Sequence, residues 1–166
     1  METVLFIDGE NLKGKIKIVF RGEGREKPIW PSYDFKGLLD RVLKGITIDR
    51  KVFYFARIKE HEDSKKKSKE LIEEQRLLKT HLEAQGFEVI LSGRVRGQME
   101  VGRDRNPVLI FKEKGVDVKI AVDMVSLSCD KKIREIILGS SDSDLQPAIK
   151  EVMERKVNCI YLGFET

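Results

Sequence analysis

IREIILGSSDSDLQPAIKEV, residues 133–152, is the stretch that decides the fold. Ile133–Leu138 is a short apolar run of the kind that forms a strand buried on both faces. The polar GSSDSD that follows ends it, and Ser and Asp are the residues that cap helix starts. Pro147 suits a first helical turn, where the missing N–H costs no hydrogen bond. Leu145, Ala148, Ile149, Val152 and Met153 then recur at helical spacing. VNCIYL at 157–162 is a second strand-like run. Strand, helix and strand in succession form a crossover unit, and crossovers join parallel strands.

The same rhythm extends towards the N-terminus. Thr3–Ile7, Lys51–Ile58 and Phe87–Leu91 read as strands. Helices are expected over 34–44, where Phe35, Leu38, Leu39, Val42 and Leu43 share a face, and over 64–85, where Leu71, Leu78 and Leu82 do. Gly45 and Gly86 are the stops. A third helix is expected over 116–128, around Ile120, Met124 and Leu127. The prediction is an α/β fold built on a mostly parallel five-stranded sheet of order 3-2-1-4-5, with helices on both faces. Two stretches interrupt the alternation. Residues 21–32 are rich in Gly and Pro and read as a loop, and 92–115 reads as an inserted hairpin. Nothing resembles a linker, so 1–166 is taken as a single domain.

Composition narrows the classes. The chain has 166 residues, 40% hydrophobic and 36% charged, with 32 Lys and Arg against 28 Asp and Glu. That supports a sizeable core under a densely charged surface, and a net charge of +4 permits nucleic-acid binding without arguing for it. No apolar run is long enough to span a membrane and no secretory leader is visible, so a cytoplasmic protein is expected. Cys129 and Cys159 stand in apolar surroundings without paired spacing and read as buried free thiols rather than zinc ligands.

The acidic residues fall in informative places. Asp8 directly follows the first strand, with Asn11 close behind, and Asp142 and Asp144 follow the fourth. In open parallel sheets ligands bind beyond the carboxyl ends of the strands, where the winding reverses. Neighbouring first and fourth strands would bring these carboxylates to one crevice. Asp117, at the start of a helix and on the face of Ile120 and Met124, would join them from the rim of the core. Such a group stays ionised only if a cation neutralises it, and all-oxygen ligands favour Mg²⁺ or Mn²⁺. A site of this kind suits phosphoryl transfer. Simpler readings exist: Asp142 and Asp144 as caps, Asp8-Gly9 as a turn, Asp117 as a charge favouring the helix dipole. Asp123 lies about 120° round the helix from Asp117 and can pair with Lys119 four residues back.

FIDGENL at 6–12, KGVDVKIAVDMV at 114–125 and ILGSSDSDLQPAIKEV at 137–152 together resemble the NYN domain, a branch of the PIN-like ribonuclease superfamily. The three blocks occur in the expected order and span nearly the whole chain. The resemblance implies a Rossmann-like PIN fold and metal-dependent cleavage of RNA, with Asp8, Asp117, Asp142 and Asp144 as catalytic metal ligands. It implies that Asn11 orients Asp8 or a metal-bound water, and it places Asp123 at a family acidic position of second rank. Ser141 and Leu145 stand where the commoner SGDSDF form has Gly and Phe, and no carboxylate is lost. Ser141 is ranked with Asp123.

An RNA substrate calls for cations around the acidic crevice. The inserted hairpin offers Arg94, Arg96, Arg103, Arg105 and Lys114, the last being three residues before Asp117. Lys65, Lys66 and Lys67 form a denser patch at a helix start, where positive charge opposes the macrodipole. Trp30 and Tyr33 could stack on bases but read better as packing residues. His61 and His81 are too isolated to form a catalytic pair. The leading expectation is a Mg²⁺- or Mn²⁺-dependent endoribonuclease-type hydrolase, with homodimerisation left open. The alternative is a non-catalytic RNA-binding or regulatory module on the same fold. Toprim-like and haloacid-dehalogenase-like phosphatases rank lower, because the residues after the first strand are Asp8-Gly9-Glu10 rather than a Glu or a D-x-D.

Overall fold

A computed structural model describes residues 1–165, apart from the side chain of Asp63. Strands β1 (Glu2–Asp8), β2 (Arg50–Phe55), β3 (Glu88–Leu91), β6 (Ile133–Gly139) and β7 (Asn158–Tyr161) form one sheet of order β3-β2-β1-β6-β7. Each neighbouring pair is parallel. The expected order 3-2-1-4-5 changes in numbering, because β4 (Arg94–Val101) and β5 (Pro107–Lys114) come between. These two form a separate antiparallel ribbon, the hairpin expected of 92–115.

The helices are α1 (Gly9–Gly22), α2 (Phe35–Val42), α3 (Lys65–Ala84), α4 (Val116–Cys129) and α5 (Gln146–Glu154). Alternate residues of the central strands serve opposite faces of the sheet. Val4, Phe6, Tyr54 and Ile136 pack against Ile120 and Met124 of α4 and Val152 of α5. Leu5, Ile7, Phe53 and Ile137 pack against Leu12 of α1, Phe35 of α2 and Leu82 of α3. Burying strands on both sides in this way produces the continuous apolar runs seen in the sequence.

Helix α1 was not expected. Its GENLKGKIKIVFRG carries three glycines and an alternating IKIVF, a pattern that reads as readily as strand. The loop expected at 21–32 therefore begins inside α1, and it ends in the 3-10 turn Trp30–Ser32. Trp30 is 2% exposed and packs on Tyr33 and Phe35, so it serves the core. The thiols depart from expectation: Cys129 is exposed and Cys159 half-buried. Cys129 lies at the open end of α4, where Arg155 donates to its sulfur at 3.1 Å. Among the described residues no helix is long and apolar enough to cross a membrane.

Candidate metal centre

β1 is hydrogen-bonded to β2 on one side and β6 on the other, so the winding reverses at β1. Ile7 pairs with Gly139, which brings the carboxyl ends of β1 and β6 side by side. Asp8 ends β1 and caps α1, its Oδ1 accepting the Asn11 N–H at 3.1 Å. Gly9 lets α1 start this close, because a Cβ there would lie inside the Phe55 ring. On the neighbouring loop, Asp142 caps the 3-10 turn Ser143–Leu145, its Oδ1 accepting the Asp144 N–H at 2.9 Å. The Asp142 N–H is held by Ser140 Oγ at 3.2 Å.

Carboxylate oxygens of Asp117, Asp142 and Asp144 lie within 4.8 Å of one another. Asp117 comes from the first turn of α4, while the other two follow β6. Three hard oxygen donors at that spacing can close on one cation, and the donor set fits Mg²⁺ or Mn²⁺ better than a softer metal. Asp142 both caps its turn and belongs to the cluster, so capping and metal-binding readings are compatible at that residue.

Asp8 stands beside this trio rather than within it. Burial pushes its carboxyl above the ordinary carboxylate range, and the negative charges of Asp142 and Glu10 add to that push. The Asn11 N–H works the other way. The Asn11 side chain reaches across the crevice instead of towards Asp8. Its Nδ2 donates to Ser141 Oγ at 3.0 Å, and its Oδ1 accepts the Ser141 N–H at 3.2 Å. Ser141 is thus the partner that ties α1 to the loop bearing Asp142 and Asp144.

Glu113 went unrecognised in the sequence. Its side chain leaves β5 towards the sheet and accepts the Ala56 N–H at 2.9 Å, just past β2. Burial raises its carboxyl to about 7, and the nearby charges of Glu10 and Asp8 contribute. The available signal was its position four residues ahead of Asp117 at the end of an insertion. Asp123 is kept apart from the cluster. It accepts from Tyr54 Oη at 3.0 Å and from Lys119 Nζ at 2.6 Å. Tyr54 is 1% exposed, so Asp123 satisfies a buried hydroxyl under α4.

The expected RNA-binding cations lie on the inserted hairpin and at the start of α3. Arg94, Arg96 and Lys114 are exposed on the ribbon, and Arg103 and Arg105 are exposed at its turn. Lys65, Lys66 and Lys67 begin α3, with Lys67 Nζ over the Phe111 ring at 5.4 Å. A family model described as NYN domain matches residues 2–166. Comparison with curated proteins and with solved structures gives no match.

Proposed function

The chain belongs to the NYN domain family, and from that premise we propose that it is a metal-dependent ribonuclease that hydrolyses RNA phosphodiester bonds in the crevice between β1 and β6. The carrying observation is the meeting of Asp117, Asp142 and Asp144 at the reversal point of a parallel sheet. These three residues are the proposed holders of a Mg²⁺ or Mn²⁺ ion. Bound there, such an ion supplies Lewis acidity and charge neutralisation to phosphodiester hydrolysis. Asp8 is assigned the proton of the attacking water, because a carboxyl lifted by burial is a better base than an ordinary one. Asn11 and Ser141 position the loop that carries the ligands. The tie between Glu113 and Ala56 fixes the inserted ribbon against the same crevice.

The test is a Mn²⁺-dependent cleavage assay on a mixed RNA panel, paired with the thermal shift that Mn²⁺ produces. A bound ion raises the melting temperature through its preference for the folded chain. Asp142→Asn is expected to lose both cleavage and thermal shift. Asp8→Asn is expected to lose about 10²-fold or more in rate, the usual worth of a positioned base, while keeping the shift. Full activity in both variants overturns the proposal. RNA binding without cleavage across the panel would replace the nuclease with a binding module.

A further inference from the structure

The register of the β4–β5 ribbon sets like charges against each other. Arg94 pairs with Lys114 and Arg96 with Lys112, so all four side chains lie on one face at the ribbon's root. Opposed residues sit about 5 Å apart and successive ones on a strand about 7 Å apart. The result is a compact square of four cations, each exposed. Like charges directly opposite one another destabilise a hairpin. The protein offers one of them relief: Lys112 pairs with Glu100 further along the same face. Among the described residues Arg94, Arg96 and Lys114 have no acidic partner.

The other face of the root explains why the square holds its direction. Val95 packs against the sheet-and-α4 core, its N–H bonds to the Arg57 carbonyl at 3.1 Å, and Glu113 bonds to Ala56. Gly93 and Gly115 pinch the two chains together there. Both have positive φ, and a Cβ on Gly93 would collide with the Lys114 carbonyl oxygen. Lys114 is followed by Gly115, Val116 and Asp117, so the square runs directly into the helix turn that carries one carboxylate of the trio.

We propose that the Arg94, Arg96, Lys112 and Lys114 face is a backbone-binding plate that holds the RNA strand flanking the cleaved bond, recognising phosphates rather than sequence. The identity of the strand rests on the ribonuclease reading. The plate itself rests on the register and on three cations left unmatched within the protein. A plate on the ribbon that leads into Asp117 gives affinity only to a chain long enough to leave the crevice. Substrates are therefore RNA strands several nucleotides long, and dinucleotides gain nothing from it.

The experiment measures binding of a single-stranded oligouridine in chelator, across a series of KCl concentrations, for the parent chain and for Arg94→Ala/Arg96→Ala/Lys114→Ala. Each phosphate contact contributes about 0.7 to the slope of log affinity against log salt for a single strand, so the triple variant should lose about 2 from that slope. The affinity lost between 50 and 200 mM salt should shrink by roughly twentyfold. A control triple, Lys44→Ala/Lys132→Ala/Arg134→Ala, lies at the opposite end of the sheet and should leave the slope unchanged. The melting temperature of the ribbon triple should hold or rise, because repulsion is being removed. An unchanged slope, or an equal fall in the control, overturns the plate. Chelator makes the reading independent of turnover. Cleavage with an unchanged slope rejects the plate alone, and a lowered slope without cleavage rejects the nuclease alone.

Discussion

Replacing Glu113 by Gln should stabilise the protein, and by an amount that depends on pH. Burial holds this carboxyl at about 7 against an ordinary value of 4.5. Between those two pH values the folded chain keeps a proton that the unfolded chain has released. Its contribution to stability is fully present below 4.5 and is lost as pH rises towards 7. At about 1.4 kcal/mol per pH unit the interval corresponds to about 3 kcal/mol. Gln has the same shape, keeps an oxygen for the Ala56 N–H and carries no charge to desolvate. The variant should therefore exceed the parent by about 2–3 kcal/mol at pH 8 and by less than about 1 kcal/mol at pH 5. Urea denaturation of both proteins at the two pH values, in chelator to exclude stray metal, measures the gap directly. A gap of equal size at pH 5 and pH 8 would refute the reasoning, as would a less stable variant at pH 8.

Two further substitutions probe the scaffold around the site. Gly93→Ala forces a Cβ into the Lys114 carbonyl oxygen at a positive φ, so it should cost about 2 kcal/mol or more and loosen the ribbon. Faster hydrogen exchange confined to 94–114 is the expected signature, and unchanged exchange there would contradict it. Asn11→Ala removes the bonds that join α1 to Ser141, at an expected cost of about 1 kcal/mol. The same change should lower the Mn²⁺ concentration response in thermal shift. Ser141→Ala keeps the backbone N–H as a donor, so it should cost less, and reversal of that order would count against the tie.

Much of the fold could be read from the chain because strands buried on both sides announce themselves as apolar runs. FEVIL, IREIIL and VNCIYL have no other economical reading, and the helices between them carry clear spacing. α1 escaped because its apolar residues are interleaved with lysines, which makes helical and strand periods hard to separate. Its start was visible only as the Asp8-Gly9 turn. The convergence of Asp142 and Asp144 follows from topology, since strand ends converge where winding reverses, whereas Asp117 was legible only through the helix face it shares with Ile120 and Met124. The role of Asn11 does not follow from topology, because its partner Ser141 lies 130 residues away. Asp123 shows the same division: its bond to Lys119 is local and foreseeable, whereas its bond to Tyr54 depends on where α4 lies across the sheet.

Asp142 commits Oδ1 to the amide of Asp144, and its Oδ2 has no such bond among the described residues. That arrangement bears on which ions the crevice would accept. A small cation content with a single oxygen from each carboxylate suits the geometry, as magnesium is. Calcium often grips both oxygens of an aspartate or glutamate at once, and here one of the two on Asp142 is already shared with the Asp144 N–H. Discrimination between the two alkaline-earth ions would then originate in a helix cap.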